Sequence, residues 1–331
     1  MKLRKLHIEN YKMFKDFDIS FVDDNDEALP IVVLAGVNGS GKTTLLECLS
    51  VQQDRYELSM KEEGNLNFGF EKDFSWFKYY DDIIYLKSGI DEISIVEDEF
   101  VKYWYNQVKF QNKRNDEITE SLQKFISETL KGLDLNFTYG YIDEGDNIFF
   151  ENDKKDRFRI DELSTGEQTL LSKILYLYMK NLKDKIILID EPELSLHPLW
   201  QNKVLEIYEN FAKQNNCQII IATHSPHIIG SAKNEYLRIL RKNEDGKVEV
   251  VKDLKAEGRD INSILFDVME EAAYRPKDFD DKIDRLHIAI DDRKIEEATE
   301  RLEELKKSYG ENDEVVMEAQ MLIDMFSRDA Q

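Results

Sequence analysis

The stretch Gly36-Val37-Asn38-Gly39-Ser40-Gly41-Lys42-Thr43 decides how this chain is read. Its spacing, G-x-x-x-x-G-K-[ST], is that of a glycine-rich loop whose backbone N–H groups turn inward around the phosphates of a nucleotide. Lys42 then reaches the β- and γ-phosphates and Thr43 holds a Mg²⁺, with Gly36, Asn38, Gly39, Ser40, Gly41 and Thr44 completing the cradle. Such a loop needs a strand before it and a helix after it. Both are legible: Ile31, Val32, Val33, Leu34 and Ala35 form a short apolar run of buried-strand type, and residues 44–50 read as helix.

Working outward, residues 186–198, IILIDEPELSLHP, carry the second signal. Ile186, Ile187, Leu188 and Ile189 read as a strand of the parallel type, buried on both faces. Asp190 and Glu191 come next at its C-terminal end, where open α/β sheets place their ligands. A strand-terminal Asp is a hard oxygen ligand suited to Mg²⁺, and the adjacent Glu can polarise a water for attack on a γ-phosphate. A third apolar run, Ile219, Ile220, Ile221 and Ala222, ends in Thr223, His224, Ser225 and Pro226, which places His224 where a γ-phosphate sensor is expected. In residues 161–177, Ser164 and Gly166 stand at a predicted helix N-terminus, where unpaired N–H groups favour an anion. Ser164 with Glu167 also reads as a capping box, and capping does not exclude phosphate contact.

The remaining chain frames these signals. Leu3, Leu6 and Ile8, then Phe17, Ile19 and Phe21, alternate as two strands before a turn at residues 23–27. Residues 51–160 read as an inserted lid region. Its dense aromatics (Phe68, Phe70, Phe74, Trp76, Phe77, Tyr79 and Tyr80) suggest a satellite core. Ile83 to Leu86 suggest a strand, Ile118, Leu122, Phe125, Ile126 and Leu130 share a helical face, and Leu135 to Phe149 suggest a β-hairpin. A second hairpin is expected over residues 236–251. From about Ile261 acidic amphipathic helix takes over and reads as a helical hairpin, with Gly310 as punctuation and Asn312 or Asp313 as a cap. The expected organisation is a nucleotide-binding head over residues 1–255 and an acidic helical region over 256–331.

Composition limits the function classes. With a formal charge of −23 over 331 residues, the chain lacks the broad basic face of a nucleic-acid binder. Local clusters (Lys109, Lys113 and Arg114; Lys154, Lys155, Arg157 and Arg159; Arg238, Arg241 and Lys242) read as solvated faces balanced by nearby acids. No apolar run reaches the ~20 residues that span a bilayer, and the N-terminus runs straight into a strand pattern, so no membrane and a cytoplasmic location are expected. Cys48 and Cys217 are isolated and suggest neither a disulfide framework nor a metal site.

In their order, GVNGSGKT, LSTGEQ, LIDEPELSLHP and ATHSP resemble the Walker A, signature, Walker B with D-loop, and switch-histidine motifs of ABC-type ATPases. The Glu-Leu-Ser-Leu-His-Pro continuation and the entry through His7 to Lys15 resemble the SMC, RecF and OLD-like branch. The signature differs from that of transporter ATPases, which usually have a second Gly where Thr165 stands. The acidic helical tail further resembles stand-alone ATPases of anti-phage systems of the Septu PtuA kind. The resemblance implies an α/β P-loop NTPase fold, an ABC head with an inserted helical and β lid and a C-terminal helical appendage. It also implies a head-to-tail homodimer sandwiching two ATP. In it Lys42, Thr43 and Asp190 bind Mg-ATP, Glu191 is the catalytic base, His224 contacts the γ-phosphate, and Ser164 and Gly166 act on the neighbouring copy's nucleotide. Gln52, Gln53 and Gln107 all stand in order for the Q-loop glutamine, and the resemblance does not choose among them. The region after residue 242 has neither an acidic-cluster strand pattern nor a His-Asn-His constellation, so the expected effector is a separate nuclease, with an HNH type considered. The alternatives are a RecF-like repair clamp that binds DNA itself and a transporter ATPase with a membrane partner.

Overall fold

The computed structural model describes residues 2–50, 66–70, 83–87, 93–130, 133, 137–180, 182–251, 254–269, 277–311 and 313–329. Chain contacts divide it into two units, residues 1–270 and 271–331.

The first unit is built on a six-stranded sheet. Its strands are β3 (Ile31–Ala35), β5 (Ile83–Leu86), β9 (Ile186–Asp190), β10 (Gln218–Ala222), β11 (Leu237–Lys242) and β12 (Val248–Val251). They lie in the order β12-β11-β3-β10-β9-β5, all parallel except β12. Every residue of β3, β9 and β10 is buried, as their unbroken apolar runs require of strands covered on both faces. In register, Leu34 pairs with Ala222 and Ala222 with Asp190, so the C-terminal ends of β3, β10 and β9 finish side by side. That shared edge carries the loop, His224 and the Asp190-Glu191 pair.

Helix α1 (Lys42–Ser50) leaves the phosphate loop and packs on β9, β10 and β5, burying Leu45, Leu46, Cys48 and Leu49. A second sheet, β2-β1-β4, comprises β1 (Leu3–Tyr11), β2 (Phe14–Ser20) and β4 (Leu66–Phe70). The main sheet is stitched to it by Gln218, whose side chain accepts from the Leu3 N–H at 2.7 Å and donates to the Leu3 carbonyl at 2.9 Å. A third sheet, β6 (Phe137–Ile142), β7 (Ile148–Asn152) and β8 (Arg157–Arg159), contains the hairpin expected from alternation. Helices α2 (Ile93–Lys109), α3 (Asn115–Thr129) and α4 (Thr165–Met179) pack together beside it. Helices α5 (Pro198–Gln214), α6 (Pro226–Ser231) and α7 (Ile261–Asp267) complete the unit. Cys48 and Cys217 are buried free thiols.

The second unit has its own core. Helices α8 (Lys277–Asp291), α9 (Ile295–Tyr309) and α10 (Glu314–Asp329) bury Phe279, Ile283, Leu286, Ile290, Leu302, Leu305, Val316 and Ile323 among themselves. The periodicity suggests a helical hairpin; the chain folds as three helices, with Gly310 at φ +98° ending α9. Among the described residues no helix is long and apolar enough to cross a membrane.

Candidate active site

The loop leaves β3 through Gly36, at φ +141°, where a Cβ would overlap the Leu240 carbonyl of β11. Only glycine passes there, and the tight exit starts the turn that wraps the loop. Lys42, 7% exposed, donates to the carbonyls of Gly36 at 2.7 Å and Val37 at 2.9 Å. Burial pushes its pKa down, against the pull of Glu191, Glu193 and Asp190. No carboxylate of the described residues stands within ion-pair distance of it, so the loop holds a buried cation by neutral oxygens alone. Ser40 Oγ, also buried, has no hydrogen-bond partner. A buried ammonium and an orphaned hydroxyl in a glycine-rich turn fit an anion of the size of a nucleotide's phosphates.

Thr43 Oγ1 lies 3.0 Å from Asp190 Oδ1, joining the first turn of α1 to the end of β9. Asp190 is 4% exposed, and burial raises its pKa, opposed by the Thr43 hydrogen bond. Beside it stands Tyr85 of β5, whose phenol is pushed well up by burial first and then by the Asp190 charge. The donors for a cation are thus one carboxylate and one hydroxyl. Such a set fits Mg²⁺, which keeps several waters and takes substrate phosphate oxygens for the rest of its shell.

Glu191 holds φ +48°, an uncommon conformation for a residue with a side chain, pinned by donation of its N–H to the Ala222 carbonyl of β10 at 2.9 Å. Its carboxylate Oε1 stands 3.2 Å from His224 Nδ1. Glu193 Oε1 lies 3.5 Å from the same nitrogen, and neither contact has hydrogen-bond alignment. Glu193 is 6% exposed; its Oε1 accepts from Thr223 Oγ1 at 2.7 Å and from the His224 N–H at 3.0 Å, while Oε2 is buried without a partner. Ser225 continues the network, its N–H donating to Thr223 Oγ1 at 3.0 Å and its side chain bonding Gln201 Oε1 at 2.6 Å. Glu193 therefore ties the segment after β9 to the segment after β10.

Ser164 caps α4 in a reciprocal box: its side chain accepts from the Glu167 N–H, and Glu167 Oε2 accepts from the Ser164 N–H at 2.9 Å and its hydroxyl at 2.6 Å. A Cβ on Gly166 would come 2.7 Å from the Ser195 carbonyl, and Ser195 itself holds φ +65°. Ser164 and Gly166 line a cavity of about 620 Å³ with Ser195, His197 and Trp200. None of the loop residues 36–43, Asp190, Glu191 or His224 lines that cavity. The structure thus gathers Lys42, Thr43, Asp190, Glu191 and His224 at one sheet edge and puts Ser164 and Gly166 in a separate recess.

Sequence reasoning passed over two contributors, Tyr85 and Glu193. The three carboxylates within Asp190-Glu191-Pro192-Glu193, just past the apolar strand run, were a signal for the second. Of the Q-loop candidates, Gln52 and Gln53 lie outside the described residues and Gln107 lies on α2. The aromatics Phe74, Trp76, Phe77, Tyr79 and Tyr80, together with Leu135 and Asn312, also lie outside them. In the basic clusters it is the arginines that have partners within the chain, Arg241 donating to the Asp267 carbonyl at 2.9 Å. Arg114 pairs with Glu117 at 3.0 Å, Arg157 with Glu151 at 3.0 Å and Arg159 with Asp161 at 3.5 Å, and Arg238 donates to the carbonyls of Ser20 and Val22.

Residues 55–230, just over half the chain, match the family described as "AAA domain, putative AbiEii toxin, Type IV TA system", and residues 1–95 match an AAA ATPase domain. The retron Vc95 probable ATPase of Vibrio cholerae is 28% identical over 221 residues, 57% of this chain and 43% of that protein. The Septu protein PtuA of Bacillus mycoides is 22% identical over 313 residues, 80% of this chain and 44% of the relative. The match thus spans less than half the length of either. An SMC head crystallised with the C-terminal winged-helix domain of ScpA superposes with a TM-score of 0.50 at 16% identity, over 76% of this chain and 97% of that one, a likeness of fold alone. By motif order, sheet topology and family match together, the chain belongs to this AAA domain family and is an ABC-type P-loop ATPase of the SMC, RecF and OLD-like branch.

Proposed function

We propose that the chain binds Mg-ATP in the loop 36–43, hydrolyses it, and does so in a head-to-tail dimer that regulates a separate nuclease effector in anti-phage defence. The observation that carries this reading is the convergence of Thr43, Asp190, Glu191 and His224 at the common C-terminal edge of β3, β9 and β10. When bound, Mg²⁺ supplies Lewis-acid polarisation of the phosphate oxygens. Thr43 and Asp190 would hold it, and Lys42 would exchange its two loop carbonyls for phosphate oxygens. Glu191, fixed by its backbone bond to Ala222, accepts the proton of the attacking water, and His224 beside it orients toward the γ-phosphate.

The dimer rests on the separation of Ser164 and Gly166 from the loop of their own chain: a recess built from a capped helix N-terminus offers its N–H groups to a second copy's nucleotide. The defence role rests on the retron and Septu relatives. A DNA clamp of RecF type is the second reading, opposed by the formal charge of −23, which gives the chain no broad basic face. An ATP-dependent DNA affinity of the chain alone that falls steeply with salt would revive it.

Glu191→Gln tests the chemistry. The variant should bind ATP as tightly as the parent, lose turnover by at least ~100-fold for removal of a general base, and accumulate as an ATP-dependent dimer in light scattering. Persistent turnover would place the base elsewhere.

A further inference from the structure

The last helix, α10, carries a stripe that the core of its own unit does not use. Val316, Ala319 and Ile323 face the three-helix core and are buried. Met317, Met321 and Met325 recur every fourth residue on another face and are 44%, 70% and 50% exposed. Residues four apart lie on one side of a helix, so the three thioethers form a continuous apolar strip about two turns long. Most exposed hydrophobic residues are scattered singly, whereas this strip is a patterned set. Methionine is unbranched and polarisable, and it serves surfaces that adapt to an incoming apolar side chain.

The charge around the strip identifies the kind of partner that would cover it. Residues 277–329 contain seventeen Asp and Glu against nine Lys and Arg, so the unit is acidic. On α10 the exposed Glu318 and Asp324 flank the methionines; Asp324 accepts from the Gln320 amide at 2.8 Å, and among the side chains described no Lys or Arg pairs with either. A second copy would bring the same acidic rim against this one, and like charges oppose that pairing.

We propose that the Met317-Met321-Met325 strip is a docking surface for a basic amphipathic helix of a partner polypeptide. The apolar face of that helix lies on the thioethers, and its Lys and Arg residues meet Glu318 and Asp324. This inference stands apart from the nucleotide site and does not need ATP turnover.

The test uses the full chain with methyl-labelled methionine. The probe is an 18-residue Leu/Lys peptide with leucine at helical spacing; a Leu/Glu peptide of the same pattern is the control. The Leu/Lys peptide should shift the methyl signals of Met317, Met321 and Met325 and leave those of Met13, Met179 and Met269 in place. Its affinity should fall several-fold between low and high salt, as exposed ion pairs do. The triple variant Met317→Gln, Met321→Gln, Met325→Gln removes only exposed side chains and should fold, as its unfolding transition will show. It should weaken binding at least ~10-fold. The proposal is overturned if the triple variant binds as the parent does, if the Leu/Glu peptide binds equally well, or if the other methionines shift instead. It is also overturned if the three methyls move with protein concentration alone, which would assign the strip to a second copy.

Discussion

Replacing Glu193 by alanine isolates the contact that holds together the segments after β9 and β10. The change removes the acceptor of the Thr223 hydroxyl and of the His224 N–H, at 2.7 and 3.0 Å, in a site where Thr223 is fully buried. Each buried donor left without a partner costs about 1–3 kcal/mol. Relief from holding a carboxylate whose second oxygen is already unpaired offsets part of that. The net loss is about 3 kcal/mol. A domain of this size loses roughly 2–4 °C per kcal/mol, so Tm should fall by about 6–12 °C, read by circular dichroism. Glu193→Gln keeps one acceptor oxygen and should lose only about a third of that. Its turnover should still drop, because the charge beside His224 is gone. If Glu193→Ala melts within about 1 °C of the parent, too little for even one unpaired donor, or if Gln destabilises as much as Ala, Glu193 does not tie the segments together.

Other positions give separate checks. Tyr85→Phe removes the hydroxyl beside Asp190 and should raise the Mg²⁺ concentration needed for nucleotide binding by a few-fold, read by calorimetry with a non-hydrolysable analogue. Lys42→Ala should weaken nucleotide binding itself, measured in the same titration. Gly166→Ala would ordinarily strengthen a helix, but here its Cβ meets the Ser195 carbonyl, so stability should fall by about 1–3 kcal/mol in denaturant unfolding. On α5, Glu209 is partly buried yet bound by Lys213, Lys233 and Tyr236, which together outweigh burial and bring its carboxyl down to about 2. A depressed carboxyl stabilises above its unfolded value and loses that contribution as pH falls through the folded value. Glu209→Gln should therefore cost about 2 kcal/mol at pH 7. The gap should close between about pH 4.5 and 2, measured by unfolding across pH.

Much of the site was legible because parallel strands buried on both faces write themselves as unbroken apolar runs. Ile31–Ala35, Ile186–Asp190 and Gln218–Ala222 stand out, and the residues just after each run must emerge at one sheet edge. Glycine spacing identified the loop for a similar reason, since Gly36 sits where no side chain fits. The hidden parts depend on distant partners. Nothing local in Tyr85 reveals that β5 joins β9 and brings its hydroxyl to Asp190. Glu193 reads as one more acid in an acidic chain, and only its burial beside Thr223 shows its role. The pairing of β1 with β4, some 60 residues on in the chain, is likewise set by tertiary contact and not by pattern.

The most direct test of the composite site mixes two inactive variants. Lys42→Ala spoils the loop of its own site, and Ser164→Ala spoils the recess offered to its neighbour. Each alone should turn over little ATP. In a mixed dimer one site keeps both an intact loop and an intact recess, so an equimolar mixture should recover roughly a quarter of parental turnover. No recovery on mixing, with both variants folded and exchanging subunits, would contradict the account and show a site complete within one chain.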